Sequence, residues 1–333
     1  MIKNIMDSNS IQKILVIIVS RIGDTLLTTP AIKSISKHFK DAEITVLAHP
    51  NRYEILKSLP FVNIVGSISK KTVFWRGRFA MTYDMAFVYG YDSSLVSYAL
   101  RVSKRVIAFK QNDKSINLKL YKSVVLTNEQ KKTSIDSMMA LPESIGISIV
   151  TRRLLFNVSE YESRIAEETI HKKDLEGKFL IGLKVASFPT KTFRDWPIEY
   201  FLELCSRIYK KKPDVHFLIY GGRDEKDKVD WLYGQLNGNA TSFIGMTLRE
   251  TAAIMSQTSM YIGVDTGPTH IMSTFDIPMI VLYHCLYSSK NVGTKGHPCL
   301  YAIDHPDFDE CSKKSNMSDI SVEDVINIVD VIL

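Results

Sequence analysis

The chain is poor in the features that announce a protein class. It has four cysteines, Cys205, Cys285, Cys299 and Cys311, in 333 residues. None forms a CxxC pair or has zinc-site spacing, so the expectation is reduced thiols in a cytosolic protein and no metal site. No apolar run approaches the ~18 to 20 residues needed to cross a bilayer. Residues 14–19 are apolar but few, are closed by Arg21 and Asp24, and precede no small-residue cleavage site, which argues against a signal peptide. Glycine and proline are sparse, at 16 and 11, which excludes collagen-like and low-complexity chains. No GxGxxG follows the first expected strand, which argues against a nicotinamide dehydrogenase. No DxD-type acidic pair stands in a metal-binding setting. The basic residues are scattered and match no nucleic-acid recognition motif, so no nucleic-acid partner is expected.

What is present points to a two-domain soluble protein. A chain of this length is long for one core. Its net charge of +6 hides an asymmetry. Residues 1–165 hold 24 Lys and Arg against 13 Asp and Glu, whereas residues 166–333 hold 18 against 23. A basic first half suits an anionic partner, either a phosphorylated glycan or a membrane surface; a solvated basic face is the bland alternative. Apolar β-branched runs at 11–19, 43–48, 62–65, 83–89 and 105–109 read as strands, with helical patterns between most of them. Residues 111–135 read as polar and irregular. The same alternation restarts at 179–185 and continues through strands at 215–220, 241–244, 260–262 and 278–283. Such alternation predicts parallel sheets covered on both faces, with ligands at the carboxyl ends of the strands.

Four strand-to-helix turns carry the candidate chemistry. In the first, Asp24 ends Ser20-Arg21-Ile22-Gly23-Asp24. It reads either as a helix N-cap, accepting from the N–H of Leu26 or Leu27, or as a general base. In the second, Lys191 and Arg194 precede Asp195-Trp196-Pro197. They can clamp a diphosphate while Asp195 caps the next helix and Trp196 anchors packing. The third is Gly221-Gly222-Arg223-Asp224-Glu225, where Glu225 can accept from ribose hydroxyls or complement a helix dipole. The fourth, Gly263-Val264-Asp265-Thr266-Gly267-Pro268-Thr269-His270, suits a phosphate at a helix start, or is an ordinary turn capped by Asp265 or Thr266. Thr247 and Glu250 form a capping box, with Met246 just before it.

These pieces, in this order and spanning about residues 13–283, resemble the glycosyltransferase family 9 heptosyltransferases of bacterial lipopolysaccharide core assembly. The resemblance rests on residues 21–30, on Arg194-Asp195-Trp196-Pro197, on residues 220–225 and on residues 263–270. It implies an α/β protein of GT-B fold, with two Rossmann-like domains facing across a central cleft. Residues 1–170 would bind the acceptor and residues 171–333 the nucleotide sugar, the last helix packing back on the first domain. It implies inverting transfer from ADP-heptose to a lipopolysaccharide core or related glycan, without a metal or other cofactor. The acceptor would be an anionic glycolipid or glycan, and the enzyme cytoplasmic and peripheral at the inner membrane through its basic first domain.

The resemblance also implies roles residue by residue. Asp24 matches the catalytic base. Arg194 falls where the family usually has Lys and would neutralise the departing diphosphate, with Lys191 sharing that role. Glu225 matches an acid near the ribose, Met246 a residue beside the adenine, and Asp265 an acid near the donor sugar. Thr266, Gly267 and His270 match the phosphate-side turn. Two features depart from the family: Arg194 in place of Lys, and the long loop at 284–290 after the strand ending at Tyr283. Lys70, Lys71, Arg76, Arg78, Arg101, Lys104 and Arg105 are candidates to meet acceptor phosphates. Other readings of the same residues are a different nucleotide sugar or acceptor, a nucleotide-sugar epimerase or hydrolase, and a non-catalytic nucleotide-sugar binder.

Overall fold

The computed structural model describes residues 10–69, 82–307 and 310–333. Lys70, Lys71, Arg76 and Arg78 therefore lie outside the described residues. The chain divides into two compact units, Met1–Asn157 and Val158–Leu333.

The first unit holds a six-stranded sheet: β1 (Lys13–Ile18), β2 (Glu43–Ala48), β3 (Ile64–Ser67), β4 (Tyr83–Tyr89), β5 (Ser103–Phe109) and β6 (Lys122–Val124). Its helices are α1 (Ile22–Leu27), α2 (Thr29–His38), α3 (Ser93–Val102), α4 (Lys114–Lys119) and α5 (Ser134–Glu143). The second unit opens with α6 (Glu160–Lys172). Its sheet comprises β7 (Phe179–Lys184), β8 (Val215–Gly221), β9 (Ala240–Ile244), β10 (Met260–Val264), β11 (Met279–Tyr283) and β12 (Leu300–Asp304). Its remaining helices are α7 (Ile198–Lys211), α8 (Lys226–Gln235), α9 (Leu248–Met255), α10 (Gly267–Met272), α11 (Ser289–Val292) and α12 (Val322–Ile332).

Every strand pair is parallel. The orders are β3-β2-β1-β4-β5-β6 and β12-β11-β10-β7-β8-β9. Counted from its own first strand, each sheet has the order 3-2-1-4-5-6, the doubly wound arrangement of a Rossmann-like unit. The order reverses between β1 and β4 in one sheet and between β7 and β10 in the other. At those two points crossovers leave in opposite directions, and the carboxyl edge stays open for a ligand.

Burial on both faces explains why the strands read as continuous apolar runs rather than alternating ones. In the second sheet, successive residues of one strand feed two cores. Ile181, Leu183, Phe217, Ile219, Ile262 and Val264 pack with Phe201, Leu204 and Ile208 of α7, Val229 and Leu232 of α8, and Val325, Ile326 and Val329 of α12. Leu180, Leu218, Tyr220, Tyr261 and Val281 face the other way, against Ala166 and Ile170 of α6 and Ala253, Ile254 and Met255 of α9. The apolar face of α12 thus belongs to the second unit's core. Trp196 is an anchor as expected, with its indole N–H donating to the Ile320 carbonyl at 2.8 Å.

Several elements differ from the sequence reading. The polar stretch after β5 contains α4, capped by the Asp113 carboxylate, and the edge strand β6. Edge strand β12 was likewise not expected. Both lack a long apolar run because an edge buries less side chain. Pro30 allows either a kink or a first short turn before the main helix, and the second holds: it sits in the first turn of α2, with the short helix α1 ahead of it.

The junction between units falls ahead of α6 because that helix is tied to α9. Glu162 closes a capping box with Ser159 and also pairs with the largely buried Arg249 (Nε to Oε1, 2.5 Å). The Arg249 hydrogen bond, ahead of the Ser159 contacts, holds the Glu162 carboxyl down to about 2 from 4.5. A depressed carboxyl stabilises the fold above its unfolded pKa, and that contribution disappears as pH falls through the folded value. Glu162→Gln should therefore be less stable than the parent by about 2–3 kcal/mol at pH 6. Urea unfolding from pH 6 downward should show the gap closing between pH 4.5 and 2. A gap independent of pH would mean the pairing is not what Glu162 contributes.

Candidate functional site

The carboxyl edge of the second sheet gathers most of the expected donor residues. β7 ends on Lys184, opposite Gly263 of β10 in the register. A Cβ on Gly263 would lie 2.8 Å from the Lys184 Cβ, so only glycine lets the two strand ends approach this closely. Lys184 is 2 % exposed. Burial lowers its ammonium pKa, and the Glu225 carboxylate opposes that shift by direct ion pairing. Glu225 also accepts from the Gly222 N–H at 2.7 Å. The structure shows a role for Glu225 that the sequence reading did not include, as the counter-ion of Lys184.

A second cluster forms around Asp265. The Arg194 guanidinium donates to both the carboxylate and the backbone carbonyl of Asp265. His270 Nε2 lies 3.5 Å from the other carboxylate oxygen. Thr266 occupies the N-cap position of α10, but its hydroxyl lies 3.0 Å from that of Thr269 and does not cap. The capping reading of Asp265 and Thr266 therefore fails: the side chains are engaged elsewhere. Gly267 opens α10. Asp195 does not cap α7 either. It accepts from the Ser187 N–H and hydroxyl and from Lys228, which pins the loop carrying Lys191 and Arg194. Met246 follows Gly245, whose N–H reaches back to the Gly221 carbonyl at the end of β8, and Met246 packs on the core below.

Lys184 was not foreseen at this edge, and Tyr287 was expected only as part of the 284–290 loop, as lining for the donor pocket. Lys184 lay inside a run read only as a buried strand; the signal was a lysine ending five otherwise apolar positions. Tyr287 lies in the atypical loop after β11, on a 3-10 turn over Cys285–Tyr287. Lys191 Nζ donates to its hydroxyl at 2.9 Å, and the Arg194 guanidinium lies 4.6 Å from its ring centroid. The Lys191 hydrogen bond holds the Tyr287 phenol below its ordinary pKa. The loop is closed by a disulfide between Cys285 and Cys311, which corrects the expectation of four reduced thiols. Adjacent strands β11 and β12 bring the two cysteines together although 26 residues separate them.

In the first unit Asp24 stands at the open carboxyl edge. Arg21, not Asp24, occupies the N-cap position of α1, so the capping alternative is overturned. The carboxylate accepts from the Ser20 hydroxyl through one oxygen; the other accepts no hydrogen bond among the described residues. It borders a cavity of about 360 Å³ with Ser20, Tyr89, Tyr91, Phe109, Ser137 and Met138 among its lining. A carboxylate with a free oxygen at a cavity can take a proton from a bound hydroxyl.

Arg101, Lys104 and Arg105 are not part of this cavity. Arg105 is four residues before Phe109 along β5, or ~13 Å toward the amino edge. There Lys104 pairs with Asp84 at 2.7 Å, Arg101 lies over Tyr98 and Arg105 over Tyr121.

The Lys184–Glu225 pair yields a direct test. Removing one partner of a buried ion pair strands the other charge and costs about 3–5 kcal/mol. Lys184→Met should lower urea stability by about that amount, and the double change Lys184→Met with Glu225→Gln should restore much of it. Strict additivity in the double-mutant cycle would contradict the pairing.

Comparison with known proteins gives consistent matches. The model of a family described as glycosyltransferase family 9 (heptosyltransferase) matches residues 80–290. Lipopolysaccharide core heptosyltransferase OpsX of Haemophilus influenzae is 21 % identical over 274 residues, covering 79 % of this chain and 76 % of that protein. A solved glycosyl transferase family 9 structure from Veillonella parvula superposes with a TM-score of 0.82 at 18 % identity, covering 96 % of this chain and 97 % of the other. The E. coli ADP-heptose lps heptosyltransferase II superposes with a TM-score of 0.78, also at 18 % identity, with 96 % and 98 % coverage.

Proposed function

Because this chain belongs to glycosyltransferase family 9, with its two Rossmann-like units in a GT-B fold, we propose that it moves a heptose from ADP-heptose to a lipopolysaccharide core or related glycan acceptor. The names of its relatives support that pair of substrates. The observation that carries the reading is the polar cluster in which Arg194 pairs with Asp265, His270 approaches the same carboxylate and Lys191 joins through Tyr287, at the β7–β10 switch point where doubly wound sheets take nucleotides.

The reaction we assign is inverting and uses no metal for the transfer step. Asp24 takes the proton of the acceptor hydroxyl as its oxygen attacks the anomeric carbon from the face opposite ADP. The bond from that carbon to the diphosphate oxygen breaks, and charge grows on the departing ADP. Arg194 and Lys191 stabilise that charge in the transition state. Arg194 is already oriented by Asp265 and by the face of Tyr287, which limits the reorganisation needed when the diphosphate arrives. Glu225 accepts from the ribose, Met246 flanks the adenine, Asp265 lies toward the heptose, and Thr266, Gly267 and His270 meet the phosphates.

In this reading the first unit, Met1–Asn157, serves the acceptor and the second, Val158–Leu333, the donor. The enzyme works in the cytoplasm at the inner membrane face, held by the basic first half. No helix among the described residues is long and apolar enough to cross a membrane.

Asp24→Asn tests the assignment. The variant should bind ADP as the parent does and lose transfer by about 10²- to 10⁴-fold, the usual worth of a general base. Assays with ADP-heptose and a deacylated core acceptor, beside ADP titration calorimetry, give both readouts. Undiminished transfer would remove Asp24 as the base. Donor turnover by the parent without acceptor would point to an epimerase or hydrolase.

A further inference from the structure

Three side chains from two separate segments meet beyond the carboxyl ends of β11 and β12. His284 and Cys285 follow β11, and Cys311 lies in the segment after β12. Tyr283 and Asp304 stand opposite each other in the register, so the following segments run side by side. The His284 ring nitrogen and the two sulfurs lie within 4.8 Å of one another. In this structure the sulfurs are joined to each other.

The imidazole is held in one tautomer. His284 is 1 % exposed, and its Nε2 lies 3.2 Å from the Ser315 carbonyl oxygen. A carbonyl only accepts, so Nε2 carries the proton and Nδ1 the lone pair. Nδ1 lies on the sulfur side, 3.7 Å from Cys285 Sγ. Its present partner is the Leu286 N–H at 3.2 Å, a long hydrogen bond that an ion would replace. Metal-bound histidines are oriented in this way, with the far N–H tied to a backbone carbonyl. Two thiolates and one imidazole are a donor set for Zn²⁺. Where thiols are kept reduced, structural disulfides are rare and cysteine clusters more often hold metal.

We propose that the reduced chain binds one Zn²⁺ through His284 Nδ1, Cys285 Sγ and Cys311 Sγ, with water as the fourth ligand, and that the disulfide and the ion are alternative occupants of one staple. Conversion balances simply. A dithiol gives two electrons and two protons to the disulfide and becomes a disulfide itself. Zn²⁺ then displaces the two thiol protons to solvent. Either occupant ties the turn carrying Tyr287, and so the contact with Lys191 and Arg194, to the segment after β12. The ion takes no part in glycosyl transfer, and the proposal stands or falls independently of the donor assignment.

The test uses the full chain in two states. One portion is left oxidised; the other is reduced with dithiothreitol and desalted without oxygen. Each is titrated with Co²⁺ as an optical probe and then with Zn²⁺, and bound metal is counted after desalting. The reduced chain should hold one ion and show a near-ultraviolet thiolate-to-cobalt charge-transfer band that Zn²⁺ abolishes. The oxidised chain should hold none. Cys311→Ser should lose the band, and His284→Ala should weaken Zn²⁺ binding about tenfold or more. The oxidised parent is a control that needs no mutation, so a misfolded variant leaves the test intact. No ion in the reduced chain, an ion without the band, or equal uptake by both states would overturn the proposal.

Discussion

A lysine carried to the end of a buried strand must meet a carboxylate, and much of the second unit follows from that demand. Lys184 has no water to solvate it, so burial pulls its pKa down and Glu225 must come to it. Glu225 can reach because the chain enters a 3-10 turn over Arg223–Glu225 after β8, and the same carboxylate ties down the Gly222 N–H. Gly263 must stay small so that β10 can lie against the Lys184 stem. One pair thus sets the spacing of three strand ends at the point where the sheet reverses its winding. Arg194 and Asp265 form a second, less buried pair beside it, and cations so placed are available to an anionic ligand.

Much of this was legible in the sequence, and the reason is local. The strand-to-helix turns are short motifs whose glycines, carboxylates and prolines act on their immediate neighbours, so their order along the chain survives translation into structure. Both-face burial made the strands plain as unbroken apolar runs. The family resemblance then tied four separate turns to one activity, which no single turn could do.

What was not legible depends on register and on contacts across the fold. The edge strands β6 and β12 bury too little to leave an apolar signature. Asp24 looked like a cap because capping preference is a property of residue type; the helix in fact begins three residues earlier, and the carboxylate is left with a free oxygen at a cavity. Lys104 and Arg105 looked like partners for an acceptor because they are basic and in the right half. Only the strand register reveals that they sit at the amino edge, away from Asp24. Cys285 and Cys311 meet because β11 and β12 are neighbours, a fact that spacing alone does not contain. Tyr287 joins the site through the same loop, which departs from the family's usual short turn.

The central claim is that the β7–β10 edge takes an ADP-activated sugar. Thermal unfolding in magnesium-free buffer, with ADP, UDP, GDP, CMP and ADP-heptose compared at equal concentration, addresses it directly. A ligand at a hundred times its dissociation constant adds about 2.7 kcal/mol of apparent stability to the folded state. Selective stabilisation by ADP and ADP-heptose is the expected result. Stabilisation by UDP or GDP alone, or by none of the five, would contradict it.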